Sequence, residues 1–165
     1  MVENRTVFRD KTIRYTGLVN IAAFYKMIDD FFRQRGYDKN ELKNFEEVRE
    51  NERQIIIEII PYKKISDYTQ LKIKLNMLFA HLKDVQVEGS TEPLQSCNIT
   101  IVMDAFLETD YEGRWDSKPF YYFLRTVFDK YVFKGYVYRN EQMLRQHADE
   151  LEIEIKSYLN MARYR

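Results

Sequence analysis

The densest group of side chains that could do chemistry lies between Asp104 and Asp116. Carboxylates stand there at positions 104, 108, 110, 112 and 116, around Gly113. Paired carboxylates can transfer protons or bind a hard cation. The ligand spacing of a calcium loop is incomplete, however, and acids ahead of a helix more often complement its positive end and pair with cations such as Arg114 and Lys118. We therefore predict no catalytic and no metal-binding residue, and an enzyme with Arg114 as an anion clamp is the least favoured alternative.

The other reactive residue types are isolated from one another. His81 and His147 are far apart in sequence, and neither has a second histidine or a cysteine at ligand spacing. The five glycines are not clustered, and no glycine-rich phosphate-binding motif is present. The sequence therefore predicts a non-enzymatic protein without a cofactor.

An aromatic-rich segment follows the acidic cluster. Tryptophan, tyrosine and arginine are enriched in interface hot spots, because they bury a large area and keep a polar group. The chain has 13 Tyr, 11 Phe and one Trp, more rings beyond position 114 than a single buried stripe needs. The predicted partner-binding or ligand-binding residues are Arg114, Trp115, Phe120, Tyr121, Tyr131, Tyr136 and Tyr138. The alternative is that these side chains close one end of the core.

A second apolar stripe near the C-terminus has four-three spacing, as in a coiled coil, over fewer than three heptads. We predict that it mediates self-association, with a twofold dimer as the default form. The residues of this stripe are Leu144, Ala148, Leu151, Ile155 and Tyr158.

Hydrophobic periodicity predicts the secondary structure. Alternation predicts a strand or strand pair at 6–16 and strands at 68–80, 82–88 and 98–107, and a β-branched run that is apolar on both faces predicts a central strand at 54–60. Three-four spacing predicts helices at 18–35, 118–134 and 137–163. The polar stretch 38–49 is expected to be a short helix or a loop. Gly135 is expected to break the C-terminal helical segment, because one unbroken helix over the last ~46 residues would span ~69 Å.

The element order predicts a single α+β domain over residues 1–165. A curved antiparallel sheet of about five strands would pack on the early helix and on the long, broken C-terminal segment, whose part 137–163 would project or dimerise. This order is similar to the helix-grip architecture of lipid-transfer and cyclase-like proteins, although those proteins usually have a pair of early helices. The resemblance implies the alternative function, binding of a small apolar molecule or lipid between the sheet and the C-terminal helix.

Charge and composition restrict the partners. Lys and Arg total 26, as do Asp and Glu, so no net positive charge favours nucleic acid. No apolar run approaches the ~20 residues of a transmembrane helix. The single cysteine, Cys97, agrees with a reducing compartment, and we expect a cytoplasmic protein. The leading prediction is a binding or assembly protein that acts through its aromatic-rich C-terminal helical surface.

Overall fold

The computed structural model describes residues 3–39, 41–49, 52–89, 91–109, 111, 123, 126–127 and 133–163. Six strands and two long helices are present in these ranges. In chain order they are β1 (Glu3–Val19), α1 (Ile21–Gln34), β2 (Glu41–Arg49), β3 (Glu52–Ile59), β4 (Tyr62–Lys64), β5 (Thr69–Val85), β6 (Leu94–Thr109) and α2 (Phe133–Arg163).

The strands form one antiparallel sheet that is not closed. Its order is β1-β6-β5-β3-β2, and the short strand β4 pairs with one end of β5. The first strand thus lies beside the last, while β3, β5 and β6 follow one another across the sheet. The predicted α+β class, with an antiparallel sheet, an early helix and a long C-terminal helix, is confirmed.

One face of the sheet, here called the inner face, carries the core. Successive side chains of a strand point to opposite faces, so every second residue of β5 and β6 lies on this side. The inner-face residues of these two strands are almost completely buried: Leu71, Ile73, Leu75, Met77 and Phe79 on β5, and Ile99, Ile101, Met103, Ala105 and Leu107 on β6. This is the alternation from which the two strands were predicted.

Helix α1 packs on the inner face. It begins after Asn20, whose side-chain oxygen accepts a hydrogen bond of 3.0 Å from the backbone N–H of Ala23. It is followed by Gly36 at φ 72°, a left-handed conformation that glycine adopts at low cost. Phe24 is fully buried, and its ring contacts those of Phe79 on the sheet and Tyr158 on α2, which joins both helices to the sheet.

Helix α2 uses the stripe predicted for self-association inside the chain. Leu144, Ala148, Leu151 and Ile155 are fully buried in the core, and Tyr158 packs against it. Four-three spacing indicates that one face of a helix is apolar, but it does not indicate what covers that face. In this protein the chain's own sheet and α1 cover it. Self-association stays a prediction, but this stripe is not at the surface. None of the described helices is long and apolar enough to cross a membrane.

Three local predictions were wrong. Residues 41–49 form β2 rather than a helix or loop, because pairing with β3 supplies the order that their polar sequence does not indicate. The strands predicted at 68–80 and 82–88 are one strand, β5, interrupted by a bulge where His81 has φ 54°. The helix does not break at Gly135, since α2 runs without interruption from Phe133 to Arg163. Most of the helix predicted at 118–134 lies outside the described residues.

Candidate functional site

The outer face of the sheet, opposite the helices, carries two polar rows at the end where β4 pairs with β5. Antiparallel pairing places residues of neighbouring strands side by side on one face. Taking β1, β6, β5 and β4 in turn, the first row is Thr6, Phe106, Lys72 and Tyr62, and the second is Asn4, Glu108, Gln70 and Lys64. Four strands at ~4.8 Å spacing give a floor ~14 Å across.

These rows form most of a groove of about 700 Å³. Seven of the eight residues line it, and Arg9, Ile60 and Tyr111 complete its walls. Its size falls within the ~300–1,000 Å³ that is usual for small-molecule sites. The combination of aromatic rings, cations and amides gives the groove both apolar contact area and directional polar groups.

A buried carboxylate lies at the floor. The Glu108 side chain is 8% exposed and pairs with the ammonium group of Lys72 at 2.5 Å. The side-chain amide of Gln70, itself buried, also donates a hydrogen bond to Glu108. A buried charge needs such partners, because its desolvation costs several kcal/mol. The negative charge of Glu108 is therefore already neutralised within the protein.

Two cations at the walls of the groove differ from Lys72, which is paired with Glu108. Arg9 and Lys64 are both exposed, and no carboxylate pairs with either of them among the described residues. The Lys64 ammonium lies 5.5 Å from the centre of the Tyr111 ring. Among the described lining residues, these two side chains add two positive charges that no described carboxylate offsets.

Irregular pairing of β1 places Arg9 at the wall. The register between β1 and β6 shifts between Thr6 and Phe8 and again between Phe8 and Lys11. Asp10 has φ 59°, and its backbone N–H donates a hydrogen bond of 2.8 Å to Asp104. Such bulges bend a strand and change the direction of a side chain.

The aromatic-rich C-terminal region meets this end of the sheet at Ser66, in the turn between β4 and β5. The Tyr111 hydroxyl donates a hydrogen bond of 3.1 Å to the Ser66 carbonyl oxygen, and the Tyr136 hydroxyl lies 3.2 Å from the Ser66 hydroxyl. Tyr138 is 64% exposed. The structure thus brings Tyr136 near the groove, whereas Tyr138 lies at the surface.

Five predicted binding residues lie outside the described part of the chain. They are Arg114, Trp115, Phe120, Tyr121 and Tyr131. Of the acidic cluster, Asp104 and Glu108 are described, and both accept hydrogen bonds on the outer face. In the ranges that the structure describes, no three His, Cys, Asp or Glu side chains are grouped closely enough to hold a metal ion.

Sequence reasoning missed the groove as a site. The alternation of β5 does place Lys72 on the polar face, but nothing local predicts that β4 and β1 bring Lys64 and Arg9 to the same place. Those strands are separated by some 50 residues, so only the pairing order unites them.

A second polar cluster joins α1 to α2. The Tyr37 hydroxyl lies 2.9 Å from Nδ1 of His147, and Glu150 accepts two hydrogen bonds, of 2.8 and 3.0 Å, from the Arg35 guanidinium. Burial lowers the pKa of His147, and the nearby ammonium of Lys63 adds to this. Burial also raises the pKa of Tyr37, so its hydroxyl keeps its proton and shares a hydrogen bond with the imidazole. The geometry is that of a structural contact between helices.

Two buried polar atoms on the inner side of the sheet have no hydrogen-bond partner among the residues that the structure describes. They are the Thr69 hydroxyl on β5 and the side-chain nitrogen of Asn140 on α2. Both residues are at most 3% exposed. Buried polar groups are usually satisfied, so these two require an explanation.

Comparison with known proteins does not assign a function. No family model matches this chain, and no curated protein matches its sequence.

Proposed function

We propose that this chain is a non-enzymatic binding protein and that the outer groove holds a small organic anion. One observation carries the proposal: Arg9 and Lys64 stand at the groove without a carboxylate partner among the described residues, while the only carboxylate of the two rows is already paired with Lys72. Cations beside a preformed concave surface favour a carboxylate, sulfonate or phosphate group.

The uncharged side chains of the lining indicate which chemical groups the ligand carries besides its anion. Tyr62, Phe106 and Tyr111 offer ring faces and edges, and Ile60 adds apolar area. Aromatic side chains bind planar apolar groups by stacking or edge contact. Amides and a hydroxyl at Asn4, Gln70 and Thr6 add orienting hydrogen bonds. An anion with an aromatic or planar apolar part therefore matches the groove better than a simple inorganic ion.

Binding without catalysis agrees with the residue types. The described residues of the lining include no histidine, cysteine or serine. A nucleophile needs an adjacent base within hydrogen-bond reach, and the Glu108 carboxylate is occupied by Lys72 and Gln70. The described part of the lining thus supplies groups that hold a ligand and no positioned pair that would transform it.

The test uses an aromatic sulfonate, 8-anilinonaphthalene-1-sulfonate, as a probe that carries both an anion and a planar apolar part. We expect saturable binding by the folded protein, followed by fluorescence and calorimetry, that weakens with salt. Hydrogen bonds to charged groups contribute about 1.5–3 kcal/mol, so Arg9→Gln or Lys64→Gln should each raise the Kd at least about tenfold.

The matched control is Lys83→Gln. Lys83 is an exposed lysine on the same strand as Lys72, eleven residues along it and therefore at most ~36 Å away. Its removal changes the net charge as much as either groove substitution does. If all three variants bind the probe equally, the groove is not the site.

The second candidate is an apolar ligand between the sheet and α2, as the helix-grip resemblance implies. The unpartnered atoms of Thr69 and Asn140 favour it, because a ligand's polar end could satisfy them. Against it, the inner-face residues pack in one core cluster with both helices. Native mass spectrometry of freshly purified protein would reveal a bound apolar molecule, and Asn140→Leu should reduce its retention without changing probe binding at the outer groove.

A further inference from the structure

Strand β2 leaves one edge of the sheet open. It pairs with β3 on one side, and no described strand pairs with its other side. Its N–H and C=O groups on that side form a template for another strand. Phe45, at the centre of β2, is 56% exposed, which is unusual for a large apolar side chain at a free edge.

An apolar row runs across the outer face to this edge. Phe45 is paired with Ile56 on β3, and Ile56 with Leu78 on β5. Leu78 is 36% exposed and Ile56 is half-buried. The row is most exposed at Phe45, where the chain provides no further strand.

We infer that β2 pairs, antiparallel and edge to edge, with β2 of a second copy of this chain, about a twofold axis at Phe45. In this register Phe45 faces Phe45 of the second copy, and the apolar row continues across the axis. Position 43, a lysine, stands opposite position 47, a glutamate, and the symmetry repeats this pair. Opposite charges in directly facing positions stabilise a strand pair.

The charges select this register among its neighbours. A twofold axis perpendicular to the sheet keeps the outer face of both copies on the same side. Facing residues must then point to the same face, so the axis passes midway between one residue and the same residue of the second copy. Centring it on position 46 would place Glu46 against itself and Lys43 against Arg49. Centring it on position 44 would place Lys43 against Phe45. Only the register centred on Phe45 makes the two Lys–Glu pairs.

Charged residues alone often protect an edge from pairing, and five of the nine residues of β2 are charged. In β2, however, the order of the charges favours pairing, because an antiparallel copy of the stretch 43–47 places each lysine opposite a glutamate. The register shift between Glu41 and Lys43 marks one limit of that stretch. A ladder over 43–47 is therefore the expected extent of regular pairing.

The opposite edge of the sheet is partly covered by α2. At β1, the Arg145 guanidinium on α2 donates a hydrogen bond of 2.8 Å to the Val7 carbonyl oxygen, and Lys11 pairs with Asp149 and Glu152 of the same helix. The bulges of β1 add to this protection. The open edge at β2 is thus the one at which a twofold dimer would join two sheets.

The test is a charge reversal followed by mixing. Lys43→Glu alone and Glu47→Lys alone each create two repulsive pairs in the homodimer, and we expect each to weaken dimerisation about tenfold or more in sedimentation equilibrium. An equimolar mixture of the two variants restores both attractive pairs and should form a heterodimer, with wild-type affinity. The double variant, with both substitutions in one chain, should also dimerise like the wild type.

Ile153→Lys is the matched control, because Ile153 is 68% exposed on α2, away from the edge, and should leave the dimer unchanged. Hydrogen exchange of the wild type gives a second measurement that needs no variant: those amides of 43–47 that point away from β3 should become more protected as protein concentration rises. A monomeric wild type, a dimer indifferent to the reversals, or exchange independent of concentration would overturn the inference. These results are separate from probe binding in the groove.

Discussion

Replacing Lys72 by methionine tests whether the groove floor depends on its ion pair. The Glu108 side chain is 8% exposed, so its charge is largely removed from water, and Lys72 lies 2.5 Å from it. Removing one partner of a buried pair typically costs about 3–5 kcal/mol. Lys72 is itself 29% exposed and Gln70 still donates to Glu108, so water and the amide reduce the loss. We expect Lys72→Met to lower the free energy of unfolding by about 2 kcal/mol.

Urea unfolding followed by circular dichroism measures this directly, and a loss of about 2 kcal/mol corresponds to a fall in Tm of about 4–8 °C in a domain of this size. Lys72→Met combined with Glu108→Gln should recover at least half of the loss, because a neutral amide costs less to bury than a carboxylate. Lys83→Met, at an exposed lysine, should change stability by less than about 0.5 kcal/mol. A Lys72→Met variant as stable as the wild type, or a double variant no more stable than the single one, would show that the groove floor does not depend on this ion pair.

Three further predictions concern the helices. Leu151→Ala should lower the free energy of unfolding, measured with urea, by about 3 kcal/mol, because removing a fully buried leucine side chain leaves a cavity. Ile153→Ala, on the exposed face of α2, should lower it by less than about 0.5 kcal/mol. Equal losses would contradict the burial of Leu151. Asn20→Ala should cost about 1 kcal/mol by removing the cap of α1, and Asn20→Asp should retain most of the stability. Burial lowers the pKa of His147 in the folded protein below the 6.5 of the unfolded chain. The contribution of His147 to stability is therefore present above pH 6.5 and is lost as the pH falls towards the pKa of the folded state. His147→Gln should flatten that part of the pH profile of the unfolding free energy.

The sequence predicts the central strands and the amphipathic helices well, for a physical reason. Alternation over residues 71–79 and three-four spacing over residues 21–32 follow from one-sided burial, and both are visible locally. The cap at Asn20 is visible in the same way, although only the structure shows its hydrogen bond.

Long-range pairing could not be obtained in the same way. The stretch around Phe45 reads as polar, and it becomes a strand only because β3 supplies hydrogen-bond partners. The stripe around Leu151 has the spacing of a coiled coil, yet its cover is the chain's own sheet and α1. Local patterns indicate that a face is apolar, and tertiary structure decides what lies on it.

The candidate site shows the same limit more strongly. Its residues come mainly from β1, β4, β5 and β6. Arg9 lies at the groove because of a bulge in β1, and no sequence motif predicts that bulge. The aromatic-rich segment was predicted as the binding surface, and of its described members Tyr136 comes close to the groove, through Ser66. A site assembled by strand order can be predicted only after the order is known.

The most direct test of anion binding in the outer groove is a two-dimensional amide spectrum of the ¹⁵N-labelled protein, titrated with 8-anilinonaphthalene-1-sulfonate. Anion binding in the groove predicts saturable shifts concentrated at residues 4–9, 62–64, 70–72, 106–109 and 111, which disappear in the Arg9→Gln, Lys64→Gln double variant. Shifts centred elsewhere, or shifts that persist unchanged in that variant, would contradict it.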